Sequence, residues 1–143
     1  MTDSKRIFID SSAWIEFILT REKHHKKVVD YVISEVKKRS KFFTSDYVLD
    51  ETFTRLITDQ SYHTAKTLKE KVKVLEKERQ LLVLWTEEVF FNKAWVVFTK
   101  FAEHRLSFTD ASIITYAQDL KIDEILTLDT DFKKVGLTTK PVL

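Results

Sequence analysis

The sequence predicts an α/β fold: a three-layer α/β/α sandwich around a central, mainly parallel sheet. Three observations carry that prediction. Short, continuous apolar runs at residues 7–9, 42–44 and 81–85 read as strands buried on both faces. Amphipathic segments of helical period lie between them. The chain has 143 residues, 43% hydrophobic and 32% charged, enough for one domain with a self-sufficient core.

The first strand, 7–9, ends at Asp10, and a short helix follows over 12–19. Residues 26–38 place Val28 or Val29, Val32, Ile33 and Val36 at helical spacing, and 42–44 form the second strand. Asp46 suits a helix N-terminus, with Leu49, Phe53, Leu56 and Ile57 as the buried stripe. A long charged helix over about 64–79 buries Leu68, Val72 and Leu75, and 81–85 form the third strand. Phe90, Ala94, Val97, Phe98 and Phe101 make the next helical stripe. Ser107 to Asp110 opens a helix carrying Ile113, Ile114, Ala117 and Leu120. Residues 124–128 are the fourth strand, and the tail 137–143, with Pro141, adds an edge strand. Trp14, Trp85 and Trp95 fall in these apolar stripes and read as core.

Composition removes whole classes of chemistry. There is no Cys, hence no thiol nucleophile, disulfide scaffold, iron–sulfur cluster or cysteine-bound zinc. The only glycine is Gly136, which rules out the glycine-rich phosphate loops of Rossmann and P-loop proteins. His24, His25, His63 and His104 lack metal-ligand spacing. No apolar run approaches the length of a membrane span or a signal peptide core, so the expected setting is the cytoplasm, away from any membrane. Net charge is only +2, yet basic clusters stand at 23–27, at 37–39 with Lys41, and at 66–73; they suit either solvated helix faces or a phosphate backbone.

In open parallel sheets, ligands bind beyond the carboxyl ends of the strands. Asp10 ends the first strand, and Asp129 ends the fourth, with Asp131 two residues later. A helix of about 11 residues from Asp110 runs about 16 Å away from that edge. A strand of about five residues returns about the same distance, so Asp110 and Asp129 finish near one edge. Asp50 or Glu51 lies one turn into the helix after the second strand; on a helical wheel Asp50 sits nearer the apolar stripe. Each acid also has an ordinary reading: Asp10 as a cap, Asp110 in a capping box with Ser107, Asp129 in an Asx-turn, Glu51 as a surface charge. Jointly they form a cluster whose members repel by about 4 kcal/mol per pair at 4 Å, and which needs protons or a cation. Oxygen-only ligands suit Mg²⁺ or Mn²⁺, the ions of phosphodiester hydrolysis.

Four segments resemble, in order, the motifs of PIN-domain ribonucleases. Ile7-Phe8-Ile9-Asp10-Ser11-Ser12-Ala13-Trp14-Ile15 resembles the opening motif, and Thr44-Ser45-Asp46-Tyr47-Val48-Leu49-Asp50-Glu51-Thr52 the second. Ser107-Phe108-Thr109-Asp110-Ala111 resembles the third, and Leu126-Thr127-Leu128-Asp129-Thr130-Asp131-Phe132 the fourth. The resemblance implies a single PIN-like domain over residues 1–143 and an Mg²⁺- or Mn²⁺-dependent endoribonuclease. It selects Glu51 over Asp50 and makes Asp10, Glu51, Asp110 and Asp129 both the catalytic residues and the metal ligands. Ser12 would orient a carboxylate or water, Thr109 supplies the family's hydroxyl, and Asp131 is an additional ligand, direct or through water. The size is similar to VapC-type toxins of toxin–antitoxin pairs, which implies RNA as substrate, a cognate antitoxin and a homodimer. Two alternatives remain beside it: an RNA-processing PIN nuclease without an antitoxin, and a non-catalytic PIN-fold binding module. Haloacid-dehalogenase and response-regulator readings fail, because Asp10-Ser11-Ser12 supplies a single carboxylate and Trp85-Thr86-Glu87-Glu88 offers no phospho-accepting Asp.

Overall fold

A computed structural model describes residues 3–143. The elements run β1 (Arg6–Ile9), α1 (Ser11–Ile18), α2 (His25–Lys37), β2 (Lys41–Ser45), α3 (Asp46–Asp59), α4 (Tyr62–Lys77), β3 (Leu81–Leu84), α5 (Glu88–Lys100), α6 (Phe108–Asp119), β4 (Glu124–Leu126) and β5 (Thr139–Lys140). Two 3-10 turns, Ala102–His104 and Thr130–Val135, have no counterpart in the sequence pattern. The sheet has order β3-β2-β1-β4-β5 and every pairing is parallel, so all carboxyl ends share one edge.

Alternation along the strands separates the two faces. Ile9, Phe42, Leu81 and Leu126 meet α1, α2 and α4 through Trp14, Val28 and Leu75. Phe8 points the other way and stacks on Tyr116 of α6 at 6.0 Å, which in turn stacks on Phe90 of α5 at 3.8 Å. Helices on both faces explain why β1 and β4 are apolar almost throughout: neither face meets water. No helix among the described residues is long and apolar enough to cross a membrane.

Several expectations need correction. Ile33, Val36 and Ile57, placed in buried stripes, are exposed, as are Trp85 (70%) and Trp95 (55%); only Trp14 is core. Apolar spacing identifies a stripe but not whether another element covers it. Asp46 does open α3 as its first residue, capped by Ser45, whose Oγ accepts from Val48 N at 3.3 Å; Asp46 also ties α3 to the loop after β3 by accepting from Thr86 N and Oγ1. β4 stops at Leu126, so Asp129 lies three residues past the strand, where Thr127 turns toward β1.

The opposite edge of the sheet is held by a buried ionic network. Glu124 accepts from Lys5 Nζ at 2.6 Å and from the Tyr31 hydroxyl. Glu35 accepts from Ser40 Oγ at 2.8 Å and lies 4.0 Å from Lys5 Nζ. Burial pushes the Glu124 carboxyl up, but its bonds from Lys5 and Tyr31 outweigh that and hold it below its ordinary value. Lys5→Met leaves the buried Glu124 without its cation, while Glu35 keeps Lys38 at 3.4 Å. The expected loss is about 2–3 kcal/mol, at the low end for a buried pair because Lys5 is one-third exposed. Urea unfolding measures it, and Lys5→Arg should restore most of it.

Candidate active site

Asp10 is positioned by both strands beside it. Its N–H continues the β1–β4 ladder by donating to Leu126 O at 3.0 Å, and its extended backbone makes it the N-cap of α1. The carboxylate cannot swing freely. Oδ1 accepts from Ser11 N at 2.7 Å, and Oδ2 accepts from Thr127 Oγ1 at 2.8 Å. Trp14 locks the helix below it: its indole N–H donates to Thr44 Oγ1, which donates to Ile9 O.

Glu51 faces the same edge from the second turn of α3. Its Oε1 accepts from Ser11 Oγ at 2.9 Å, with Arg55 Nη1 4.0 Å away. Asp50 is exposed on the neighbouring face. Asp110 is the third helical residue of α6, in a reciprocal capping box: Ser107 Oγ accepts from its N–H at 3.0 Å, and its Oδ2 accepts from Ser107 N at 3.2 Å. Asp129 caps the turn Thr130–Val135, with Oδ1 accepting from Asp131 N at 2.8 Å and its own N–H donating to Thr127 Oγ1 at 3.0 Å. The local capping roles are thus real, and each also fixes a carboxylate at the edge.

The four acids feel one another. Burial pushes the Asp10 carboxyl up to about 6; its bonds from Thr127 and Ser11 oppose this, while the charges of Asp110 and Glu51 add to it. Burial also raises Asp110, against its bonds to Ser107, and the charges of Asp129 and Glu51 push the same way. Arg55 is the only cation that the ion pairs among the described residues place against any of the four.

Among the described residues, no three His, Asp or Glu side chains lie close enough, as they stand, to share one ion directly. A hard cation does not require that. Mg²⁺ keeps several of its waters and is held through one or two carboxylates, the remaining acids acting through water. The donor set fits such an ion: oxygen ligands only, and a buried carboxyl whose charge the protein leaves poorly compensated.

The remaining expected residues are placed less simply. Ser12 touches no carboxylate; its Oγ lies 3.1 Å from Thr127 Oγ1 and accepts from Leu128 N at 2.9 Å, so it holds the loop that holds Asp10. Thr109 is half-buried beside Asp110, and only its carbonyl has a partner, accepting from Ser112 Oγ. Asp131 is exposed and paired with Lys134 at 3.0 Å, turned onto its own helix rather than into the cluster. Ser11 and Thr127 contribute without having been singled out by sequence reasoning. Both lie inside the quoted motifs, but nothing local tells that Ser11 meets Glu51 or that Thr127 bridges Asp10 and Asp129.

Thr127→Val tests that bridge. The hydroxyl favours the charged form of Asp10, so its removal raises the Asp10 carboxyl further, and any activity needing the carboxylate loses its acidic limb at higher pH. We expect a loss of about 10–100-fold, measured as a pH–rate profile, with Thr127→Ser restoring the wild-type limb.

The fold recurs in solved structures. The VapC20 toxin of Mycobacterium tuberculosis, described as cleaving the sarcin–ricin loop, superposes with a TM-score of 0.80 at 23% identity, covering 92% of this chain and 96% of that one. The VapBC2 complex of Rickettsia felis, bound to a promoter DNA fragment, gives 0.69 at 14% identity over 94% and 97%. FitAcB of Neisseria gonorrhoeae gives 0.65 at 15% over 94% and 96%. No curated protein sequence matches at a significant level. The sequence model of the PIN domain matches residues 7–137, an interval that contains all four acidic segments and, apart from Arg6, every strand but β5. The chain therefore belongs to the PIN domain family.

Proposed function

We propose that the chain is a divalent-metal-dependent endoribonuclease, a single PIN domain acting as the toxin of a toxin–antitoxin pair in the cytoplasm. The observation that carries this reading is the crowding of Asp10, Glu51, Asp110 and Asp129 at the carboxyl edge. A fold would not gather these charges around a buried Asp for stability, because Asp110 and Glu51 raise the cost of ionising Asp10 and Asp129 raises that of Asp110. Similarity to toxin structures supports the biological setting.

Asp10, Glu51, Asp110 and Asp129 would hold Mg²⁺ or Mn²⁺, directly or through water. When bound, the ion would activate a water and neutralise charge on the phosphodiester. The chain's own residues supply orientation. Ser11 fixes Glu51, Thr127 fixes Asp10 and the Asp129 backbone, and Ser107 fixes Asp110, so the carboxylates are set before the substrate arrives. Unpaired RNA suits an open edge of this kind, since the A-form major groove is too narrow for side chains to read. An antitoxin would silence the site by placing a basic side chain among the four acids. The exposed apolar surface around Trp85, Val89, Trp95 and Val96 is where a second copy of the chain would pack.

Incubating purified protein with a mixed RNA pool in Mn²⁺, Mg²⁺ or chelator tests the reading. Cutting in either metal and none in chelator is the expected result. No cutting in any of the three would leave a PIN-fold binding module.

A further inference from the structure

At the far end of the sheet from the acidic cluster, the amino ends of β1, β2 and β3 line an open pocket of about 390 Å³. Its wall carries Arg6, Lys41 and Arg79 against one acid, Glu76. Among the described residues, none of the three cations lies within 4.0 Å of a carboxylate. Arg6 is the most telling. Its guanidinium lies 5.0 Å over the Phe43 ring, and its buried Nε has no hydrogen-bond partner. The nearby acid, Asp123, is taken up by the backbone N–H of Arg6 at 2.8 Å and leaves the guanidinium alone. Strand register puts Arg6 beside Lys41, and Phe43 beside Leu82, which is 55% exposed. The pocket is therefore cationic on one side and apolar on the other.

A buried, unpartnered guanidinium N–H is rare in a finished fold, because it forfeits hydration with nothing in return. Nε itself is sealed from solvent, so a ligand would meet the outer guanidinium nitrogens of Arg6 together with Lys41 and Arg79, and a guanidinium matches the several acceptor oxygens of a phosphate particularly well. The exposed Leu82 suits the flat edge of a sugar or base. We infer that this pocket is a second phosphate-binding site, taking the backbone of a single-stranded RNA outside the cleavage centre. The identity of the ligand rests on the ribonuclease reading; the cationic pocket does not. From Arg6 to Asp10 the strand spans about 13 Å, but both faces of β1 are covered, so an RNA strand that reaches both ends must pass over the outer helices. Lys41 belongs to a basic cluster for which the acidic site has no use.

The test is a nitrogen-15 NMR titration of the full chain in chelator, where no cleavage interferes, with a uridine hexanucleotide, inorganic phosphate or hexaglutamate peptide. The hexanucleotide should move the Arg6 Nε–H signal and the amides of Lys41, Gln80 and Leu82. Arg79→Gln and Lys41→Gln are exposed changes that leave folding intact. Each should weaken hexanucleotide binding several-fold. Each should also lower the slope of log K against log salt by about 0.7, the value for one phosphate of a single strand left unneutralised. Unmoved pocket signals, or phosphate or hexaglutamate binding as tightly as the hexanucleotide, would overturn the inference. The nuclease reading stands or falls separately: RNA bound at this pocket but never cut in Mn²⁺ contradicts that reading alone.

Discussion

Asp10→Asn is expected to reduce metal-dependent RNA cleavage by at least about a thousandfold, or about 4 kcal/mol of transition-state stabilisation. The same change should leave metal-free protein at pH 7.5 at least as stable as wild type. The two effects have one cause. Asp10 is buried, and ionising it costs free energy that the unfolded chain avoids. Asn keeps an acceptor for Ser11 N and can reverse the bond to Thr127, whose hydroxyl accepts as well as donates. A loss of activity together with a fall in stability would instead make Asp10 a structural cap. Melting curves with and without Mn²⁺ separate these outcomes, because only wild type should gain stability from the ion.

The second large effect is a pH dependence of opposite sign to that of ordinary carboxylates. Asp10 titrates near 3.8 in its ordinary state and at about 6 in the metal-free fold. The folded state therefore binds the proton more tightly, and lowering the pH through 6 toward 4 stabilises the fold through this group. At about 1.4 kcal/mol per pH unit, the gain is about 2.5 kcal/mol by pH 4 and about 3 kcal/mol at its limit below the ordinary value. Glu124 acts the other way: its carboxyl is lowered by Lys5 and Tyr31, so its contribution is lost as the pH falls. Neither curve alone isolates Asp10. The difference in unfolding free energy between wild type and Asp10→Asn, measured from pH 7.5 to 4 in chelator, removes the groups common to both. That difference should shift toward wild type by about 2.5 kcal/mol as the pH falls to 4; a flat difference would mean that Asp10 is not desolvated.

Much of the fold is readable because its strands announce themselves. Ile7-Phe8-Ile9 and Phe42-Phe43 are apolar at every position, which only a sheet covered on both faces requires. Once the strands are ordered, the acids at their ends converge by length alone. Asp10 and Asp110 reach that edge this way, and the Asp129 side of the cluster survives an error of two residues in where β4 stops. The wheel sets Asp50 and Glu51 about 100° apart and leans toward Asp50; what sets Glu51 apart in the structure is the bond from Ser11, 40 positions away. Thr127 is hidden for the same reason, its partner Asp10 being 117 positions distant. The exposed Trp85 and Trp95 show the other limit. Periodicity reports which residues are apolar together, but coverage depends on neighbours that the pattern does not name. Asp131, expected as an additional ligand, pairs instead with Lys134 three residues on, a local contact that the motif resemblance does not announce.

The claim on which the rest depends is that four carboxylates from four separate segments act as one cation site. Titrating Mn²⁺ calorimetrically into wild type, Asp10→Asn and Asp110→Asn at pH 7.5 tests it most directly. Saturable binding to wild type, weakened at least tenfold in each variant, is the predicted result. No binding to wild type, or equal binding to all three proteins, would contradict the account.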